Sequence, residues 1–338
     1  MVHINQRGNR IIWADSLKGW LMMLVILGHS IQCLLSDGCE ENHLWNMIYS
    51  FHMPAFIAVS GWLAYRPDRM GGNSSILVRR FKQLIIPYLI WSLMSFIARG
   101  YHTVERLSKI ILTPDTYYWF LWVLFWIFVL FWAVQRMANR WKMKELAALW
   151  MTAGLLIVMT VGLNTRYLGF RFIAYYFFFY VLGYSLHKLP ILQINNKMMI
   201  AVLTIIWIGL AWGWSMHELP PYMSVVSFLP SSLVLYAYRG ITAIVAIEVI
   251  FYAAPRFLIK KNKMNRVMAS AGVLSLGTYT THILLLDVTK PLCLRLMQEI
   301  GYAGTLVVVF VAASLIPLAI VACVNRNKAA ARLLLGKV

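Results

Sequence analysis

Asp15-Ser16-Leu17-Lys18-Gly19 leads into Trp20-Leu21-Met22-Met23-Leu24-Val25-Ile26-Leu27-Gly28 and then His29-Ser30-Ile31-Gln32-Cys33-Leu34-Leu35. A helix that crosses a bilayer needs about 20 mostly apolar residues, and 17–35 meets that length with one lysine at its start and one histidine inside it. Lys18 and His29 are eleven residues apart, almost three full helical turns, so they lie on nearly the same face about 16 Å apart along the axis. Asp15, three residues before Lys18, shares that face. One helix thus carries an acid–base pair at its edge and an imidazole deep within it. An imidazole there suits proton transfer from a hydroxyl or a thiol; the structural alternative is a buried histidine bonded to a neighbouring helix.

The rest of the chain repeats the pattern of the first segment. Of 338 residues, 61% are hydrophobic and 13% charged, against about 45–50% and about 25% in soluble domains. That excludes a disordered chain, and one soluble core cannot absorb so much apolar side chain. The expected fold class is all-α, a polytopic transmembrane helical bundle formed by residues 1–338 as a single domain. Ten spans are read at 17–35, 44–64, 84–98 (with a basic lead-in from 76), 118–135, 146–163, 170–187, 199–216, 237–254, 270–289 and 304–324. The segment 222–236 is too short and too rich in Ser and Pro to count, and reads as a re-entrant or interfacial piece.

The net charge of +19 would suggest nucleic acid on a soluble chain. Here it reads as an orientation signal. With both termini in the cytoplasm, 23 Lys and Arg fall inside and 8 outside, as the positive-inside rule requires. The first apolar stretch is read as a retained helix rather than a cleaved leader. Cys33, Cys39, Cys293 and Cys323 lack CxxC spacing and are read as free thiols, with a Cys39–Cys293 disulfide as the alternative. No metal is expected.

Polar groups inside a bilayer are costly and are functional candidates by default. In the second span His52 precedes Pro54, which breaks the hydrogen-bond ladder; His52 stands open between a structural and a functional role. Ser60-Gly61 reads as helix packing. Arg79, Arg80 and Lys82 lie on one turn at the edge of the third span. They either anchor the helix or form a phosphate site, since guanidinium groups bind phosphate oxygens bidentately. Glu248 and Asp287, in the eighth and ninth spans, either pair with Lys290, Arg239 or an outer arginine or have a function. Tyr279 and His282 also lie in the ninth span, and Trp119 opens the fourth.

In this order the pieces resemble a family. Asp15-x-x-Lys18-Gly19…Gly28-His29 is similar to the opening helix of the acyltransferase 3 family, the ten-span membrane O-acetylases of cell-surface glycans. Phe51-His52-Met53-Pro54…Ser60-Gly61 resembles its second-span motif, above all in the fucose O-acetylase-like branch. Arg79-Arg80-Phe81-Lys82…Pro87-Tyr88 resembles its basic lead into span three. Trp119-Phe120-Leu121 with Leu124, Phe178-Phe179-Tyr180-Val181-Leu182-Gly183-Tyr184 and Gly277-Thr278-Tyr279-Thr280 with Ile283 resemble its fourth, sixth and ninth spans. The likeness runs from residue 15 to about 290. Two positions depart: Asp287 stands where the ninth-span motif often ends in His, and Gln83 where a second basic residue is common.

The resemblance implies acyl transfer from a cytoplasmic acyl-CoA, most often acetyl-CoA, to a hydroxyl of a glycan or glycolipid across a bacterial-type inner membrane. Residue by residue it implies His29 as general base and Lys18, Asp15 and His52 beside it. Arg79, Arg80 and Lys82 would hold the CoA phosphates, with Trp119 in the wall. Polysaccharide-assembly machinery or a second copy of the chain are the partners that fit; nucleic acid is not among them. The rival readings are a transporter or flippase for a glycolipid or small solute, which would favour a two-fold repeat that is not visible, and a structural partner of a polysaccharide assembly complex.

Overall fold

The computed structural model describes residues 11–65, 75–114, 118–163, 165–226, 229–259 and 262–337. Arg7, Arg10, Arg66, Arg69, Lys260 and Lys261 of the charge count lie outside them, as do residues 227 and 228 of the segment 222–236. The described residues form thirteen α-helices linked by turns and short 3-10 segments. These are α1 Ile12–Leu35, α2 His43–Tyr49, α3 His52–Ala64, α4 Ser75–Ala98, α5 Val104–Leu112, α6 Trp119–Arg140 and α7 Glu145–Leu163. They continue with α8 Phe170–Lys188, α9 Lys197–Trp212, α10 Ser231–Phe257, α11 Lys263–Val273, α12 Ser275–Val324 and α13 Lys328–Leu335. Six stretches are long and apolar enough to cross a membrane: α1, His43–Ala64, α4, α6, α10 and α12. The end of the bundle where α1 begins is called the near end below, and the end where it finishes the far end.

Several boundaries differ from the sequence expectation for local reasons. The second span is broken into α2 and α3 at Ser50 and Phe51. Pro54 has no N–H to give the Ser50 carbonyl, so the ladder opens one turn before the proline and leaves His52 in the first turn of α3. Span nine is divided at Leu274 between α11 and α12. Helix α12 is not one rod: Gly301, at φ 72° and ψ 174°, reverses the chain. Val321 consequently packs back against Gly277, its methyl carbon 2.8 Å from where a Cβ on Gly277 would stand. The segment 222–236 becomes a 3-10 turn, Pro221–Val226, and the opening of α10, which starts six residues earlier than the span expected from 237.

Two close crossings bring the central helices together. A Cβ on Gly19 of α1 would lie 2.0 Å from the Met268 carbonyl oxygen of α11, and one on Gly272 of α11 would lie 1.8 Å from that of Asp15. The α3–α8 crossing has the same construction, with Gly61 against the Tyr180 carbonyl and Gly183 against that of Ala58. Small residues let backbones meet where lipid supplies no hydrophobic drive of its own. Ser16 Oγ donates to the Asn265 carbonyl at 3.1 Å across the first crossing. At the near end Glu145 of α7 pairs with Lys188 of α8 and accepts from Tyr184 at 2.7 Å. Outside the apolar helices, α5 is capped by Thr103 and pairs Glu105 with Lys109 at 2.9 Å, which holds the Glu105 carboxyl below its usual range.

The crossings set a test. Overpacking a close contact costs about 1–3 kcal/mol, so Gly272→Leu should lower the thermal unfolding temperature of the detergent-purified chain and its accumulation in membranes. Gly154→Leu on α7, where a new Cβ meets open space, should leave both unchanged.

Candidate active site

Helix α1 is unbroken from Ile12 to Leu35, so the sequence spacing of Lys18 and His29 carries directly into space. Their surroundings differ. At the near end a cavity of about 450 Å³ is lined by Asp15, Lys18, Ser60, Arg80, Gln83 and Leu124, among others. Lys18 Nζ lies 3.6 Å from an Asp15 oxygen. Arg80 donates to Gln83 at 3.1 Å and sits 5.0 Å from the Phe128 ring. Arg79, Arg80 and Lys82 are all exposed on α4, and of the three only Arg80 lines the cavity. One residue along a helix turns the side chain by about 100°, so of the three clustered cations only Arg80 faces inward. The cavity holds two cations against one carboxylate, a balance suited to an anionic guest.

His29 lies toward the far end and meets a second imidazole. Its Nδ1 is 2.9 Å from His282 Nε2, with the rings nearly coplanar at 8°. His282 Nδ1 is 2.9 Å from the Thr278 carbonyl oxygen. A carbonyl only accepts, so His282 carries its proton on Nδ1 and its Nε2 presents a lone pair. His29 then donates from Nδ1 to that lone pair, and its own Nε2 becomes the basic nitrogen. The chain of bonds fixes the tautomer and the orientation of His29, as a base needs. His282 was visible in the sequence as an imidazole in the ninth span, but no role was assigned to it. The ninth-span histidine that meets His29 is His282, five residues before Asp287.

Beside the histidine pair is a small cavity of about 60 Å³ lined by His29, Gln32, Cys33, Leu286, Asp287 and Lys290, with Ile283. Asp287 accepts from Arg99, the residue that follows α4, at 2.6 and 3.0 Å and from Ser95 of α4 at 3.4 Å. That resolves the choice of partners for Asp287 in favour of an arginine following the third span. Glu248 makes no hydrogen bond or ion pair with another described residue. His52 donates from Nδ1 to the Ile48 carbonyl at 2.7 Å and packs edge-on to Tyr49, whose hydroxyl is 3.3 Å from Gln32. Trp119 is elsewhere: it stacks on Phe172 and Tyr176 at 4.8 and 5.1 Å and lines neither cavity. All four cysteines are free, and the thiol facing Cys293 is that of Cys33. Among the described residues no cluster of three His, Cys, Asp or Glu is placed to hold a metal ion.

A layer of aromatic rings lies between the two cavities. Phe120 is 5.7 Å from Phe56 and 5.6 Å from Tyr279, and Tyr279 is 5.9 Å from His282. Each ring stands one helical turn from a residue that lines the near cavity: Ser60 for Phe56, Leu124 for Phe120, Ser275 for Tyr279. Three helices thus close the same level.

Helices long and apolar enough to cross a membrane, a buried histidine pair and a basic cavity at the other end of the same helix suit a membrane acyltransferase. An acyltransferase domain matches residues 11–324, and the chain belongs to the acyltransferase 3 family. It is 32% identical over 131 residues to the nodulation protein NolL of Mesorhizobium japonicum, covering 36% of this chain and 35% of that protein. It is 38% identical over 86 residues to NolL of Sinorhizobium fredii, covering 25% of this chain and 24% of that protein. The matches span about a third and a quarter of these relatives. No solved structure matches the chain.

The Arg99–Asp287 pair gives a stability test. Its side chains are about a quarter and a fifth exposed, so removing one partner should cost less than the about 3–5 kcal/mol of a fully buried pair, about 1–3 kcal/mol. Denaturation of purified Arg99→Ala should show that loss, and Arg99→Ala/Asp287→Asn should recover part of it. Additive losses would mean the two side chains act separately.

Proposed function

We propose that the protein transfers an acyl group, most simply acetyl, from a coenzyme A thioester bound at the near end to a glycan hydroxyl presented at the far end. The observation that carries this reading is the His29–His282–Thr278 chain of bonds, set about 16 Å along α1 from the basic cavity at Lys18 and Arg80. The charge bias supports a cytoplasmic near end, where acyl-CoA is available.

The steps follow from the groups present. CoA phosphates bind Lys18 and Arg80, with Asp15 holding Lys18 at the cavity wall. The thin pantetheine arm passes between α1, α3, α6 and α12 when the Phe56–Phe120–Tyr279 layer parts. The acceptor hydroxyl reaches His29 from the small cavity of Gln32, Asp287 and Lys290. His29 Nε2 removes the hydroxyl proton as the oxygen attacks the thioester carbonyl carbon. The new C–O bond forms, the tetrahedral intermediate collapses, and the C–S bond breaks. The proton on His29 passes to the departing sulfur, giving CoA thiol and the ester, and the enzyme returns to its starting state. His282 is a positioning residue: its lone pair accepts from His29 Nδ1 throughout and steadies the imidazolium. His52, fixed on the Ile48 carbonyl, supports the wall through Tyr49 and Gln32. Arg79 and Lys82 anchor α4 at the surface and contribute to CoA capture only through the field they add. Trp119 sets the far-end aromatic stack rather than touching the donor.

Base assistance is worth about 10²–10⁴-fold in rate. Variant transfer rates measured in proteoliposomes with acetyl-CoA and an acceptor glycan test the roles. His29→Ala should abolish transfer while the protein accumulates normally. His282→Ala should lower kcat about 10²-fold with little change in KM, and His282→Asn, which keeps an acceptor for His29 Nδ1, should recover part of it. Equal activity of His282→Ala and wild type would remove the relay from the mechanism. Arg80→Gln should raise the KM for acetyl-CoA about tenfold with kcat kept, as loss of a charge-assisted contact does. Arg79→Gln should change it far less, and an equal effect of the two would return both to anchoring.

A further inference from the structure

A third cavity, of about 280 Å³, opens between α7, α8 and α10 and is lined by Ile157, Tyr175, Phe178, Tyr236, Gly240 and Ile244, among others. It touches neither His29 nor the Lys18–Arg80 cavity. Its walls are almost wholly apolar. On α10 they run from Leu233 to Ile244, about 16 Å along the axis. Small-molecule pockets span about 300–1,000 Å³, so this volume suits a stretch of one hydrocarbon chain rather than the paired chains of a membrane phospholipid.

Two half-buried arginines stand against lining residues of the cleft. Arg171, in the first turn of α8, donates from Nε to the hydroxyl of the lining Tyr236 at 2.9 Å. Arg239, on α10, sits 5.8 Å from the ring of the lining Tyr175 and 5.4 Å from Trp214. Its Nη1 donates to the Met216 carbonyl at 3.4 Å, and its Nε is buried with no hydrogen-bond partner. Among the described residues neither guanidinium pairs with a carboxylate. By the charge count this face has only 8 of the 31 Lys and Arg. Arg99 and Lys109, two of the others, are each matched to an acid. Two arginines beside an apolar cleft, without an acidic partner among the described residues, are complementary to one dianionic head on one chain. A phosphate monoester carries about −1.5 to −2 charges at pH 7 and fits two guanidinium forks; a fatty acid carries one charge.

We propose that this cleft binds a single-chain lipid phosphate from the far-face leaflet, with its hydrocarbon between α7, α8 and α10 and its phosphate on Arg171 and Arg239. The purpose of such a site, holding a lipid-borne acceptor near His29, rests on the proposed function; the binding itself does not.

The test is lipid binding by the full-length, detergent-purified protein, read by native mass spectrometry. The probes are a long-chain polyprenyl monophosphate, the polyprenol of equal length, phosphatidylglycerol, and inorganic phosphate as competitor. The polyprenyl phosphate should bind saturably, at least about tenfold tighter than the alcohol or phosphatidylglycerol, and inorganic phosphate alone should not displace it. Arg171→Gln/Arg239→Gln should weaken it at least about tenfold. Gly240→Leu, whose new side chain meets open space in the cleft, should weaken it as well, with unfolding temperature and acetyl-CoA affinity unchanged. Equal binding of the alcohol, equal or tighter binding of phosphatidylglycerol, displacement by free phosphate, or wild-type affinity in Gly240→Leu would each overturn the proposal. Because no transfer is measured, a failed acyltransferase assay leaves this result intact, and the reverse holds too.

Discussion

An imidazole buried among apolar helices must have its N–H satisfied, because an unpaired polar group there costs several kcal/mol. For His29 the acceptor is another imidazole, and for that imidazole a backbone carbonyl one turn away. Much of the bundle serves this requirement. The Gly19–Gly272 crossing fixes α1 against α11, and α11 leads directly into α12, which carries His282. The reversal at Gly301 packs the second half of α12 against Gly277, the residue before Thr278. The Arg99–Asp287 pair then ties α12 to the end of α4. Each contact limits the freedom of α12 to slide or rotate relative to α1, and a shift of one residue would turn His282 about 100° away from His29.

The same packing separates two environments. At the near end the cavity is polar, basic and wide; at the far end it is small and faces the histidine pair. Phe56, Phe120 and Tyr279 lie between them at one level of three helices. Such a layer keeps water and protons from passing freely past the base while leaving a route that rotation of a few rings opens. In the proposed mechanism a thioester would thereby reach a site screened from bulk water, where hydrolysis competes less with transfer.

Much of this was legible in the sequence, and the gaps have physical causes. Within one helix, spacing is geometry: Lys18 and His29 were placed on one face correctly because α1 is straight and unbroken. The break before His52 followed from Pro54 by local chemistry. Contacts between helices were not legible. Nothing in the sequence says that α1 faces α12, so His282, 253 residues from His29, was noticed without being assigned. The sequence leaves Asp287 open between pairing with a cation and a function of its own, and the choice depends on the end of α4, 188 residues away. The Arg79–Lys82 cluster shows a subtler gap. Its charge was evident, whereas the angle at which α4 presents each residue was not, and only Arg80 turns inward. Trp119 carries the motif resemblance, while its neighbour Phe120 supplies the ring at the level between the two cavities.

In the proposed mechanism donor and acceptor meet at His29 from opposite faces. Transfer in proteoliposomes of known protein orientation tests it most directly, with acetyl-CoA supplied only on the Lys18 face and acceptor glycan only on the other. Acetylated glycan is expected under that arrangement, and none when acetyl-CoA is confined to the far face. Product formed only when both substrates share one face would contradict it.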